Sequence, residues 1–182
     1  MSTHLWWNLT RASANVAWIL MFVSILWGVL MATRVLRPAP RPAWMLDLHR
    51  WLGWLTVIFT GLHMTSLVAD SYVTFTVADL LVPFSASWKP GAVALGIISA
   101  YVLAAVQLTS VAMKRISKTT WRRIHMLSYV MFAVVSLHAL LAGSDSGSRW
   151  FASFSMALVM MTAAAGSLRL VVGRKATQTR NN

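Results

Sequence analysis

Five apolar runs, each long enough to cross a bilayer, occupy most of this 182-residue chain: about Ala14 to Thr33, Leu48 to Ala69, Gly91 to Met113, Ile124 to Ala142 and Trp150 to Val172. Lipid offers a backbone amide no hydrogen-bond partner, so each run is expected to close its own bonds as a helix. The expected fold is therefore all-α, an integral membrane bundle of five transmembrane helices (about 14–33, 48–69, 91–113, 124–142 and 150–172) in one domain, 1–182. With 58% hydrophobic residues and four acidic ones, the chain leaves no room for a second, soluble core.

A formal net charge of +12 would suggest a nucleic-acid partner in a soluble protein. Here the cations stand in short segments between the apolar runs and read as topology signals, so no nucleic acid is expected. Arg34, Arg37, Arg41 and Arg50 flank the first connection. Lys114, Arg115, Lys118, Arg122 and Arg123 flank the third, and Arg169, Arg174, Lys175 and Arg180 end the chain. The opposite side holds only Arg11, Lys89 and Arg149, so the positive-inside rule puts the amino terminus outside and the carboxyl terminus in the cytoplasm. The first run could imitate a signal peptide, but residues 1–10 lack a basic start, and a retained helix is expected.

Four of the five histidines fall inside the spans, as the pairs His49/His63 and His125/His138. Ionisable groups at that depth are costly and usually functional. Spacings of 14 and 13 residues rise roughly 21 and 19.5 Å along a helix, so each pair has one ring near each membrane face. The second and fourth helices, facing each other, could hold two haems in two tiers: His49 with His125 on the cytoplasmic side, His63 with His138 outside. The chain has no cysteine, which excludes cysteine-ligated iron–sulfur clusters and thioether-linked haem, so a haem here would be noncovalent.

On the second helix, 14 residues bring His63 within about 40° of the azimuth of His49, and Gly53, Thr56 and Thr60 lie between them as a groove that a flat macrocycle could approach. Small-residue helix packing explains the same stripe. On the fourth, 13 residues leave His138 about 140° from His125, a conflict that crossing or different haem azimuths would have to absorb. Each ligating ring needs an acceptor for its other nitrogen; the i−4 carbonyls, Thr60 and Ser136 are the candidates. Trp54, Phe59 and Phe132 lie between the tiers, as electron relays or as ordinary core.

The connections differ in character. Residues 37–42 form a proline-rich linker, and Gly143 to Ser148 a short polar turn. Asp70 to Pro90 is the one long connection, with Tyr72, Phe75, Leu80, Leu81, Val82 and Phe84 suited to an external interface segment. Trp44 and Trp121 on one side, with Trp6, Trp7, Trp88 and Trp150 on the other, read as interfacial belts. Asp70, Asp79 and Asp145 are external carboxylates, as solvated loop charges or as attractors of ferric ion.

Taken together, the 14 and 13 histidine spacings on helices separated by one other resemble the ferric reductase-like transmembrane domain, a family that includes ferric reductases, NADPH oxidases and the haem-binding subunit of a bacterial methionine sulfoxide reductase system. Leu9-Thr10-Arg11-Ala12, His49-Arg50 with Gly53, Gly61-Leu62-His63, and Arg123-Ile124-His125 followed by Tyr129 are similar to its bacterial members. The likeness runs from about Leu5 to Val172, with five spans where six are usual.

The resemblance implies two b-type haems with bis-histidine ligation by His49, His63, His125 and His138, and electron transfer across the membrane. Arg50 and Arg123, with Arg122 beside them, become candidate propionate contacts inside, and Lys89 and Arg149 outside, although cations flank most helix ends in this way. No Gly-x-Gly-x-x-Gly follows a strand, so no flavin or nicotinamide site is expected in this chain. A separate flavin reductase or a quinol would donate, and ferric iron, oxygen or a periplasmic redox protein would accept. That makes the chain the cytochrome b component of an oxidoreductase rather than a complete enzyme. A bacterial inner membrane, with lipid as its solvent, is the expected setting. Two other classes stay open: a haem-free transporter or proton pathway with titrating histidines, and a structural subunit of a larger redox complex.

Overall fold

The computed structural model describes residues 5–33, 42–70, 73–144 and 147–181, and they form six helices: α1 (Leu5–Thr33), α2 (Ala43–Ala69), α3 (Val77–Leu81), α4 (Pro90–Val111), α5 (Lys118–Ala142) and α6 (Arg149–Asn181). Five of these are long and apolar enough to span a membrane, α6 over Arg149–Arg169. Helices α1, α2, α5 and α6 reach past their apolar runs, because hydrocarbon thickness fixes the run and not the helix, whereas α4 starts one residue early and stops two short of Met113. Arg34, Arg37, Arg41, the linker they occupy, Tyr72 and Asp145 lie outside the described residues, as do the side chains of Arg174, Lys175 and Arg180.

Helix starts follow local chemistry. Pro90 opens α4, where a missing amide costs nothing, and Ser117 caps α5 by accepting the Thr120 amide at 3.0 Å. The short α3 lies within the long connection and carries a capping box: the Thr76 hydroxyl accepts the Asp79 amide at 3.2 Å while the Asp79 carboxylate accepts the Thr76 amide at 2.9 Å. The Thr76 amide, and after it the Thr76 hydroxyl, hold the exposed Asp79 carboxyl below its ordinary value. Phe75, Leu80 and Ala86 then pack on Val93 and Ile97 of α4, so this segment folds back over the bundle end. Tyr101 of α4 donates its hydroxyl to the Leu81 carbonyl, fixing the same fold.

The long helices pack as two hairpins, α1 along α2 and α4 along α5, with α6 closing against α1 and α5. The histidine-bearing helices α2 and α5 are not among the closely packed pairs. They face each other across a gap and are backed from behind by α1 and α4. The main core joins Trp18, Met21 and Ile25 of α1 to Met131 and Phe132 of α5 and Leu158 of α6. Trp18 stacks on Phe132 at 6.1 Å and donates its indole N–H to Ser136 at 2.9 Å, so the first apolar run is a structural part of the bundle. Apolar side chains such as Ile58, Leu108, Val130 and Met160 point outward, the pattern of a protein whose solvent is lipid.

Candidate functional site

The four membrane histidines meet in two tiers, called inner and outer after the orientation expected from the charges. In the inner tier the His49 and His125 rings face each other with centroids 6.0 Å apart and planes inclined by 68°. In the outer tier His63 and His138 line one cavity. Among the described residues no three histidine, aspartate or glutamate side chains cluster together, so these are two pairs and not one polyhistidine metal site.

Each ring is braced from behind through Nδ1. His63 Nδ1 lies 3.0 Å from the Thr10 carbonyl on α1, and His138 Nδ1 lies 2.6 Å from the Ala92 carbonyl on α4. His49 Nδ1 meets the Ser24 hydroxyl of α1 at 3.3 Å, and His125 Nδ1 the Ser110 hydroxyl of α4 at 3.5 Å. The rule is the same four times: α1 holds the α2 rings, and α4 holds the α5 rings. Committing Nδ1 leaves Nε2 to coordinate a metal.

The partners expected from within the same helix are therefore replaced by partners from the neighbouring one. Thr60 donates to the Thr56 carbonyl, and Ser136 donates to the Phe132 carbonyl while accepting Trp18. A ring reaching sideways to another helix is fixed relative to two backbones at once, whereas a bond within its own turn would leave it free to move with that helix. At His63 the bracing closes on itself: the Thr10 hydroxyl donates to Ser66 at 2.8 Å, and the Ser66 hydroxyl donates to the His63 carbonyl at 2.9 Å.

Glycines let two rings come close to the supporting helices. A methyl group on Gly96 of α4 would stand 2.8 Å from the His138 ring, and one on Gly28 of α1 would stand 3.2 Å from His49. This placement also accommodates the 13-residue spacing. Helix α5 runs unbroken from Lys118 to Ala142, and His138 leans onto α4 at Gly96 while His125 turns to His49.

The outer cavity has a volume of about 460 Å³, within the ~300–1,000 Å³ of small-molecule and cofactor sites. Its walls are largely apolar, with Trp18, Met21, Leu103, Val93 and Phe151, and Thr60 reaches in beside His63. Arg11, Asp70 and Lys89 supply charge to its lining. Lys89 is fixed there, donating to the Leu141 carbonyl at 2.7 Å with its ammonium 4.9 Å from the Trp88 ring centroid.

The family model described as a ferric reductase like transmembrane component matches residues 13–136. The chain belongs to that family. The match covers the whole α1–α2 hairpin core and reaches into α5, taking in His49, His63 and His125 and ending two residues before His138. No curated protein and no solved structure matches.

Ferric reductase-like membrane domains are usually associated with haem, and the residues at both tiers fit that group. In the inner tier His49 and His125, with centroids 6.0 Å apart, would hold the group from two sides. The outer tier adds a room of suitable size, apolar walls and cations.

The remaining sequence candidates distribute unevenly. Thr60 lines the outer cavity, whereas Thr56 is buried and donates to the Leu52 carbonyl, and Gly53 faces the Gln107 side chain of α4, whose Oε1 would lie 3.0 Å from an added methyl. Arg50 is exposed and paired with Asp47 at 3.1 Å, and Arg123 is exposed. Arg149 is exposed at the start of α6 and is absent from the cavity lining, where Arg11, a residue counted only as a topology charge, takes part. Asp70, expected as a loop charge, is buried in the cavity wall. Two tryptophans assigned to the belts also belong to the site: Trp7 lines the outer cavity, and Trp121 stacks on His125 with centroids 5.1 Å apart. Phe132 is fully buried in the aromatic core against Trp18 and Phe22, and Trp54 points outward.

Proposed function

We propose that this chain is a transmembrane electron-transfer subunit that holds two noncovalent b-type haems, one between His49 and His125 and one between His63 and His138. The observation that carries the reading is the fourfold bracing of Nδ1, which presents four imidazoles in facing pairs with Nε2 left to coordinate. Held by two imidazoles, the metal would favour electron exchange over substrate binding. When bound, the haems supply reversible one-electron chemistry at iron.

The protein's own residues orient and insulate. The Thr10 and Ala92 carbonyls, which can only accept, set the Nδ1–H tautomer of His63 and His138, and the Ser24 and Ser110 hydroxyls help set the pose of His49 and His125. Trp18, Met21, Leu103 and Phe132 keep the interior dry between the tiers. The cation distribution orients the bundle with His49 and His125 toward the cytoplasm, where a flavin reductase or a quinol gives electrons, and with His63 and His138 toward an external acceptor such as ferric iron, oxygen or a redox protein. A bacterial inner membrane is the setting, and Arg50 and Arg123 lie at the cytoplasmic ends of their helices as propionate contacts.

The test is a reduced-minus-oxidised spectrum of protein purified from haem-supplied cells. Low-spin b-type bands at two haems per chain are expected. A folded but colourless protein would overturn the reading and favour a pathway of titrating histidines.

A further inference from the structure

Near the inner tier stands a cation that the sequence counts only as a topology charge and that lies beyond the family match. Arg169 lies on α6, half-buried, and donates from its guanidinium to the Tyr129 hydroxyl at 3.2 Å. Tyr129 is one turn beyond His125 on the same face of α5. Its ring can lie this close to α6 because residue 166 is glycine, where a methyl group would meet the ring at 3.2 Å. The guanidinium is thus tethered one helical turn along α5 from His125.

Among the described residues no carboxylate pairs with it. Of the chain's four acidic residues, Asp47 is paired with Arg50, Asp70 is buried at the outer cavity, Asp79 caps α3, and Asp145 falls in the connection between α5 and α6. A half-buried guanidinium one helical turn from a ligand candidate, with no carboxylate partner among the described residues, suits an anion from outside the chain. A second donor points the same way. Trp121, stacked on His125, has its indole N–H buried without an acceptor among the described residues.

We propose that Arg169, tethered by Tyr129, binds a carboxylate of the porphyrin held between His49 and His125. Arginine suits this because its planar fork matches a carboxylate and its charge persists when desolvated. The inference rests on the haem reading above and adds to it a named binding residue on a helix that carries no ligand. A lipid phosphate offers the guanidinium similar chemistry, and the test separates the two sources.

Full-length protein prepared without haem and reconstituted in lipid nanodiscs would be titrated with haem b and with its dimethyl ester, which lacks both carboxylates. Arg169→Gln is expected to weaken haem b binding at the tier lost in His125→Ala by about tenfold and to leave ester binding unchanged. Arg169→Lys should recover part of the loss. Should Arg169→Gln fail to accumulate, Tyr129→Phe keeps the charge and removes its tether, and a loss of a few-fold confined to the free acid is expected. Equal losses with both porphyrins, or none with either, would overturn the proposal and assign the guanidinium to lipid or to packing. Wild-type protein that takes up neither porphyrin would overturn the haem reading itself, and this proposal with it.

Discussion

The two tiers brace the same kind of ring with different materials. The outer rings are braced by backbone carbonyls at 3.0 and 2.6 Å, and they line a cavity of about 460 Å³. The inner rings are braced by serine hydroxyls at 3.3 and 3.5 Å, and they face each other at 6.0 Å with tryptophan and arginine nearby. A carbonyl belongs to the helix and cannot be removed by changing a side chain, whereas a hydroxyl at the edge of bonding distance is both weaker and replaceable. The outer tier is thus the rigid one, set by where the helices run. The inner tier is adjustable, set by which side chains the helices carry.

The largest effect that would break this comparison is the loss of a whole tier. His63→Ala or His138→Ala should remove the outer haem and keep the inner one, and His49→Ala or His125→Ala the reverse, each halving the haem per chain in a haem-content assay. Equal loss of both haems from all four variants would mean that the tiers are not separate sites.

Next in size is a glycine comparison. Gly96→Ala drives a methyl into the His138 ring at 2.8 Å and should cost about 1–3 kcal/mol, visible as weakened outer haem retention. Gly28→Ala, with 3.2 Å to His49, should cost less, because a shift of a few tenths of an ångström relieves it. The opposite ranking would sink the claim that the outer ring has the tighter seat.

Smaller still are Ser24→Ala and Ser110→Ala, each expected to loosen the inner tier by about 0.5–1.5 kcal/mol without touching the outer spectrum. An effect as large as that of Gly96→Ala would show that the hydroxyls are stronger braces than their lengths imply.

The smallest effect is pH-dependent and should appear only over the outer tier. Because its Thr76 contacts depress the Asp79 carboxyl in the folded protein, the α3 cap is fully formed above the ordinary value of 3.8 and weakens as pH falls through the lower folded value. The protection of the Val77 to Leu81 amides, taken relative to their intrinsic exchange rates at each pH, should fall in acid, and Asp79→Asn should remove that dependence.

How much of this was legible in the sequence follows from what each feature depends on. The five spans and the depths of the four histidines needed only bilayer thickness and the rise of a helix, both fixed numbers. Single-helix geometry could not supply the braces, because Thr10 and Ala92 lie 53 and 46 positions from the rings they serve. The 13-residue spacing looked like a conflict for the same reason. Azimuth on an isolated helix says nothing about a neighbour that offers glycine on one side. Arg169 and Trp121 were hidden by ambiguity of role, since a cation and an indole near a helix end match the ordinary pattern of membrane proteins. The signal that could have exposed the braces was the pairing of a serine and a glycine on each helix that precedes a histidine pair: Ser24 with Gly28, and Ser110 with Gly96.

The bracing also bears on how such a molecule is made. Every imidazole takes its support from the helix synthesised just before its own, so each ring is braced within its own hairpin, while Trp18 against Phe132 and Ser136 joins the first hairpin to the second. A ribosome feeding the chain into lipid would complete the braces of the first pair before the second pair existed, and the contact of Trp18 with Phe132 would form only once α5 arrived.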